Sequence, residues 1–254
     1  MKWINSFLIA FSMYSRIPVP QPDFEQSSMD YVMCFFPFVG TVTGGAAFLV
    51  YTAGKAFGFS SVFLAAVLTA LPLWISGGIH MDGYMDTRDA LASCGDREQK
   101  LKILKDSHTG AFAVMGCGMY LLLSFGAWCG VRPGRGLLCV CAGYMVSRTF
   151  SGLSVLLFPK AKKSGSYVTM FAGQASRTIT VVVLLVLLAL EGVFLVFFGR
   201  GKGVLTLCLA AGVFAWYYRM SKKQFGGITG DLAGYFVQLC ELVILAGAAV
   251  TAGI

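Results

Sequence analysis

The sequence predicts an all-α, polytopic integral membrane protein, a helical bundle of about seven spans preceded by a short helix. Hydrophobic residues make up 57% of the 254 residues and charged residues only 13%, whereas soluble domains carry roughly 25% charged residues. Apolar runs of about 17 to 25 residues recur along the chain, which is the length that a helix needs to cross a hydrocarbon core.

The predicted spans are separated by short segments rich in Gly, Pro, Lys and Arg, as span ends should be. They cover residues 31–54, 60–79, 110–130, 136–158, 177–199, 203–218 and 231–253. The apolar stretch 3–13 is too short to cross, so we expect an interfacial or re-entrant helix there. Because no internal repeat or low-complexity linker interrupts the pattern, the whole chain, 1–254, is expected to form a single domain.

Basic residues predict the orientation of the bundle. Alternating connections place 14 Lys and Arg on the side that holds the N-terminus and 5 on the other, and Arg148 lies within a span. Cytoplasmic loops carry the excess of Lys and Arg. We therefore expect a multi-pass protein of the cell (inner or plasma) membrane whose long polar connections, 80–109, 159–176 and 219–230, face the cytoplasm.

Composition also argues against two other classes of site. The eight cysteines show no paired CxxC spacing, so neither a zinc site nor a disulfide framework is indicated. The net charge of +8 comes from basic residues scattered over short loops, and positive-inside topology explains it better than a nucleic-acid partner. The lipid bilayer is the expected surrounding, and the sequence leaves the oligomeric state open, a homo-oligomer included.

Half of the twelve acidic residues lie within 82–106. Asp82, Asp86 and Asp89, at i, i+4 and i+7, would share one stripe of a helix that continues from the second span. Like charges at these spacings destabilise a bare helix, whereas Mg²⁺ is commonly held by one or two carboxylates together with substrate phosphates. Asp106 could close such a magnesium site; the alternative is a solvated acidic loop neutralised by neighbouring Lys and Arg.

Other polar residues near these acids suggest phosphate chemistry. His80 could act as a general base or simply as a hydrogen-bonding residue. Lys105 and Ser107 precede a span, where a helix N-terminus and a cation suit an anion, unless Lys105 is an ordinary positive-inside residue. Arg148, inside a span, should pair with a carboxylate or a phosphate.

The last span opens with the segment GGITGD. Gly230 would let the backbone approach a ligand, and Asp231 and Glu241 lie on a polar stripe that should face the bundle interior.

These motifs resemble those of the cobalamin synthase (adenosylcobinamide-GDP ribazoletransferase) family along essentially the whole chain. The matching segments are FSMYSRIPVP, FFPFVG, HMDGYMDTRDA, KDSHTGAFA and GGITGDLAGYFVQLCEL. Departures are Ala90 and Ala113 in place of family glycines, and a loop in which Lys162, Ser164 and Ser166 follow the family pattern only loosely.

The resemblance implies Mg²⁺-dependent attack of α-ribazole, or its 5′-phosphate, on the cobinamide-proximal phosphorus of adenosylcobinamide-GDP, with release of GMP. It implies a catalytic role for His80, Asp82 and Asp86. The implied residues for the other two roles are these: for metal, Asp82, Asp86, Asp89, Asp106 and Asp231; for substrate, Arg88, Lys105, Ser107, Arg148, Gly230 and Glu241.

Two rival functions remain at this point. A membrane alcohol phosphotransferase acting on a nucleotide-linked lipid would also use spaced aspartates, although its usual motif is missing. A transporter would use the intramembrane charges, but its site would normally lie at the midplane, whereas these acids cluster at one face.

Overall fold

The computed structural model describes residues 2–24, 26–161 and 174–253, and its secondary-structure elements are helices joined by loops. One isolated bridge, between Lys160 and Ile228, is the only β-type pairing in these ranges. The helices are α1 (Lys2–Tyr14), α2 (Gln26–Met29), α3 (Val32–Ala56), α4 (Ser61–Ser76), α5 (Ile79–Ala92), α6 (Arg97–Ile103), α7 (Ala111–Gly130), α8 (Arg135–Leu157), α9 (Gln174–Phe194) with a π-helical turn (Leu195–Gly199), α10 (Gly201–Phe225), and α11 (Gly230–Val250) with a 3₁₀ turn (Thr251–Gly253).

Among the described residues, six helical segments are long and apolar enough to cross a membrane, and α4 with α5 would make a seventh if that bent pair is one span. The predicted helical membrane bundle is therefore confirmed. The span predicted at 203–218 lies within α10, which continues to Phe225. Lys222 and Lys223 lie in its last turn, where cations interact favourably with the helix dipole. Residues Lys162, Ser164 and Ser166 lie outside the described ranges, and the single domain stays a prediction.

The connection between α4 and α5 differs from the expected continuous helix. Gly77 (φ 66°) and Gly78 (φ 84°) adopt left-handed conformations, and the two helices meet at 97°. Arg16 packs over this bend: its backbone N–H donates to the Ile75 carbonyl at 2.7 Å, and a Cβ on Gly77 would lie 2.7 Å from Arg16 Cγ. The expectation that the acidic helix extends the second span is thus wrong.

Helix α1 covers 13 residues, which confirms a helix too short to span. Aromatic contacts hold it against α3 and the residues before it. The ring of Trp3 lies 4.6 Å from that of Tyr31, and the ring of Tyr14 lies 4.4 Å from that of Phe36. The N-terminal segment therefore packs on the same end of the bundle as the bend.

Helices α8 and α11 form the centre of the bundle, and both are buried over most of their length. Helix α3 packs closely on α8 through Gly40 and Gly44, where an added Cβ would lie 2.2 Å from the Tyr144 carbonyl oxygen and 2.0 Å from that of Cys141. Small residues allow such close approach between membrane helices. In contrast, α9 is largely exposed on the outside.

Candidate active site

The candidate site lies where α5 crosses the beginning of α11. An added Cβ on Gly83 would lie 2.6 Å from the Asp231 carbonyl oxygen, and one on Gly234 would lie 3.2 Å from the backbone of His80. Glycine at both positions lets the two backbones touch. The crossing brings the acidic stripe of α5 beside Asp231, residues that are about 140 positions apart in the sequence.

The three carboxylates predicted to share a stripe do lie on one helix, α5. Asp82 is exposed, and Asp86 and Asp89 are half-buried. Partial burial, together with the negative charges of Asp82, Asp231 and Asp89, raises the pKa of Asp86 to about 6. The carboxylates are therefore close enough to repel one another, which is the electrostatic condition that a bound cation would relieve.

Asp89 has a structural role in addition to its predicted role as a metal ligand. Its carboxylate accepts hydrogen bonds from the backbone N–H groups of Gly110 (2.6 Å) and Ala113 (2.9 Å). These groups belong to the N-terminus of α7, whose first N–H groups have no partner within the helix. Asp89 thus caps α7 from α5, and its metal-binding role stays a prediction.

The loop before α11 is fixed by its glycines. Gly226 (φ 77°) ends α10, and a Cβ on Gly227 would lie 2.5 Å from the Pro159 carbonyl oxygen. Beside them the Ile228 N–H donates to that carbonyl at 2.9 Å. Thr229 caps α11 by accepting from Leu232 N–H at 3.2 Å. Asp231, in the first turn of α11, is thereby held facing α5.

Asp106 lies in the exposed loop before α7 together with Lys105 and Ser107. Its carboxylate accepts from the His108 backbone N–H at 3.0 Å and lies 2.7 Å from His108 Nδ1. These hydrogen bonds lower the pKa of Asp106. The charges that act on Asp86 are those of Asp82, Asp231 and Asp89, and the metal-binding role of Asp106 stays a prediction.

His80 lies buried beneath the carboxylates. Its ring stacks at 6.2 Å on Tyr14 and meets Phe36 edge-on at 5.7 Å. Burial, and to a smaller extent the charge of Arg148, lowers the pKa of His80 to about 3. Its Nε2 has no hydrogen-bond partner among the described residues. A neutral imidazole with a free nitrogen can orient a hydroxyl group.

Arg148 and Glu241 form a buried ion pair between α8 and α11. Ser147 Oγ donates to the same Glu241 oxygen at 3.1 Å, and Arg148 also donates to the Tyr144 carbonyl at 2.8 Å. The expectation that Arg148 pairs with a carboxylate or phosphate is confirmed by its carboxylate partner. Because both side chains are closed off in the core, their substrate contacts stay predictions.

Arg88 and Gly230 lie nearer the crossing. The Arg88 side chain packs on Gly116 of α7, and its charge acts on the hydroxyl groups of Tyr84 and Tyr235. Gly230 opens α11 and has free space where a Cβ would be. Both are placed beside the acidic helix, and their substrate-binding role stays a prediction.

Sequence reasoning missed the importance of Lys160, which counted only as a loop charge. The backbone around it pairs with the loop before α11, since the Ala161 N–H donates to the Ile228 carbonyl at 3.1 Å. Lys160 Nζ is buried without a hydrogen-bond partner in the described chain, and burial, then Arg177, lowers its pKa to about 8. The sequence feature that could have indicated Lys160 is its position directly after a predicted span.

The residues fit a magnesium ion that is partly held by substrate. In the described ranges no three His, Cys, Asp or Glu side chains converge as a ready-made metal site. The described ion pairs are Glu98–Lys102, Asp106–His108 and Glu241–Arg148, so no cation there pairs with Asp82 or Asp86. Two unpaired carboxylates are the hard oxygen ligands that Mg²⁺ takes alongside substrate phosphates.

Fold and site together define a polytopic, α-helical membrane protein with a carboxylate-rich site at one end of its bundle. The family model for "Cobalamin-5-phosphate synthase" matches residues 6–249, and the chain belongs to that family.

The sequence is similar to those of curated relatives over nearly the full length of both chains. A protein of Lachnoclostridium phytofermentans is 44% identical over 98% of this chain and 94% of its own. One of Brevibacillus brevis is 34% identical over 95% and 96%, and one of Desulfitobacterium hafniense is 33% identical over 98% of both chains. All three are named adenosylcobinamide-GDP ribazoletransferase. No solved structure matches the chain.

Proposed function

We propose that this protein joins α-ribazole, or α-ribazole 5′-phosphate, to adenosylcobinamide-GDP and releases GMP, giving adenosylcobalamin or its 5′-phosphate. The observation that carries the proposal is the crossing of α5 and α11, which sets Asp82, Asp86 and Asp231 together at the end of a membrane bundle. The names of the relatives supply the substrates. The activity is a displacement at a diphosphate, which depends chiefly on positioning and on charge neutralisation.

Magnesium is the proposed cofactor, and when bound it would neutralise diphosphate oxygens and orient the scissile bond. Asp82 and Asp86 would hold it from α5, with Asp231 completing the group from α11. Asp89 keeps α5 and α7 in register through its cap. The chain therefore supplies carboxylates from two helices whose spacing is fixed by glycine contacts.

Other side chains would bind and orient the substrates. In this proposal Nε2 of the buried His80, which has no hydrogen-bond partner among the described residues, would accept a hydrogen bond from the attacking ribazole hydroxyl. Lys105 is exposed in the loop before α7, and Lys160 has an ammonium group without a hydrogen-bond partner in the described chain, next to the loop of Gly227. These two cations can neutralise phosphate, whereas the Arg148 guanidinium is already paired with Glu241.

We further propose that the site faces the cytoplasm of the cell membrane. The count of 14 Lys and Arg against 5 supports this orientation. A cytoplasmic site would receive both water-soluble substrates directly, without transport across the bilayer.

The proposal is tested with purified protein in liposomes, supplied with Mg²⁺, adenosylcobinamide-GDP and α-ribazole. The expected result is a corrinoid product of the joined mass together with one GMP per product. A matched reaction replaces the corrinoid with a cytidine-diphosphate-linked lipid and should give no turnover. Folded protein that consumes only the nucleotide-linked lipid would contradict the proposal and favour the lipid phosphotransferase.

A further inference from the structure

A cavity lies between α3, α8 and α9, on the side of α8 that faces away from α11. Its volume is about 560 Å³, and none of the residues assigned to the candidate active site lines it. Ligand pockets usually have volumes of roughly 300–1,000 Å³. Its walls include Gly45, Phe48, Met145, Leu190 and Glu191, and Thr41 is the other lining residue with a side-chain oxygen. Glu191 is thus the one acid in a largely apolar wall.

The rim of this cavity consists of apolar side chains on membrane-spanning helices. Phe48, Leu190 and Phe194 are 44%, 61% and 41% exposed, and in a membrane such exposed surface contacts lipid. Because α9 is the least buried of the spans, the cavity opens sideways. Molecules that enter it must therefore be dissolved in the bilayer.

Glu191 is the acid of the cavity and is only 7% exposed, whereas the hydroxyl of Thr41 donates to the Pro37 carbonyl at 3.4 Å. The Thr149 hydroxyl lies 2.6 Å from Glu191 Oε1 and 3.1 Å from the Met145 carbonyl oxygen. A hydroxyl has one proton, so it cannot donate to both oxygens. Both hydrogen bonds form if neutral Glu191 donates to Thr149 and Thr149 donates to Met145.

The second carboxyl oxygen, Glu191 Oε2, has no hydrogen-bond partner among the described residues. In the neutral acid this oxygen is a carbonyl acceptor, and an acceptor buried without a donor costs free energy. No described cation pairs with Glu191. The cavity thus combines an apolar body with one unfilled position for a hydrogen-bond donor.

We propose that this cavity binds a membrane lipid of the long-chain alcohol class, whose free hydroxyl donates to Glu191 Oε2 while its hydrocarbon chain fills the space between α3, α8 and α9. A hydrocarbon chain without a donor would leave the oxygen unsatisfied. A cationic lipid would require an ionised carboxylate, which would leave one of the hydrogen bonds around Thr149 unmade.

The probe is hexadecanol bearing a photoreactive diazirine, with its methyl ether as the matched probe that lacks the donor. Wild-type protein in lipid nanodiscs should incorporate the alcohol into peptides of α3 and α9 about fivefold more than the ether, the ratio that one hydrogen bond of average strength gives. Unlabelled hexadecanol should compete for this labelling.

Variants distinguish a hydrogen bond between the probe's hydroxyl and Glu191 from non-specific partitioning of the probe into the cavity. Glu191→Gln should keep the preference for the alcohol, because the amide can donate to Thr149 and still present a carbonyl to the cavity, whereas Glu191→Leu should lose it. Gly45→Leu should block labelling by filling the cavity, since its Cβ would meet no atom within 4 Å. Gly118→Leu, at an equally open position on α7, is the control that should label like wild type.

Thermal unfolding of each variant shows that it is folded. Equal labelling by alcohol and ether in wild type would overturn the proposal, as would equal labelling of Gly45→Leu and Gly118→Leu. Preferential labelling by a hexadecylammonium probe that Glu191→Gln abolishes would also overturn it, because the site would then hold an ionised carboxylate.

Discussion

Gly83 of α5 lies in backbone contact with Asp231 of α11, one residue after the first carboxylate of the acidic stripe. This contact fixes the separation of the two helices that carry the candidate metal ligands. It explains why the small residue occurs within the acidic segment, where the side chains on either side are Asp82 and Tyr84.

Replacing Gly83 by Ala should push α5 away from α11, because the new Cβ would lie 2.6 Å from the Asp231 carbonyl oxygen. A displacement near 1 Å at a catalytic site can cost about 100-fold in rate, and we expect a loss of that order in turnover. Gly118→Ala, which meets no atom within 4 Å, should keep full turnover. Equal activity of the two variants would show that the crossing does not position the site.

Removing the Asp89 carboxylate should destabilise the fold itself. Asp89→Ala leaves two N–H groups of α7 without their acceptor, and loss of a helix cap costs about 1–2 kcal/mol. Asp82→Ala removes an exposed carboxylate with no described hydrogen bond and should leave the melting temperature in detergent unchanged or higher. If Asp89→Ala has the same melting temperature as wild type, the Asp89 carboxylate does not stabilise the N-terminus of α7.

Removing one partner of the Arg148–Glu241 pair should lower the free energy of unfolding far more than removing both partners. Arg148→Met would strand a buried carboxylate, which typically costs about 3–5 kcal/mol. The double variant Arg148→Met with Glu241→Gln removes both charges and should recover much of that stability. Thermal unfolding of the two single variants and the double variant measures the coupling, and strictly additive losses would contradict a direct interaction.

Much of the architecture is predictable because membrane spans and the 3.6-residue repeat are local properties. These local properties predicted the six spans and the helix that carries Asp82, Asp86 and Asp89. The bend was not, because glycines such as Gly77 permit left-handed conformations without requiring them.

Interaction partners that come together only in the folded bundle could not be predicted from the sequence either. The need of Arg148 for an anion followed from its place in a span, but its partner Glu241 lies 93 residues away, and nothing local in the sequence connects the two residues. The cap that Asp89 provides depends on the approach of α7. A carboxylate that completes a helix end and one that binds metal look alike in a sequence.

The proposed orientation can be tested with Cys94, an exposed cysteine in the loop that is expected to face the cytoplasm. A membrane-impermeant maleimide should label it in inside-out vesicles and not in right-side-out vesicles. Cys94→Ser measures the background from the remaining cysteines. Labelling of Cys94 from the outside would place the carboxylates on the opposite face and contradict the account.

The most direct test of the central claim is single-turnover release of GMP from adenosylcobinamide-GDP and α-ribazole as a function of Mg²⁺ concentration. We compare wild type with Asp82→Asn, Asp86→Asn and the control Glu98→Gln, which removes an exposed carboxylate whose ion-pair partner in the described chain is Lys102. The account predicts release by wild type and Glu98→Gln that EDTA abolishes. It also predicts that the two asparagine variants need far more Mg²⁺ or show no release. Metal-dependent release by both variants at the wild-type Mg²⁺ concentration would contradict the assignment of Asp82 and Asp86 to the metal.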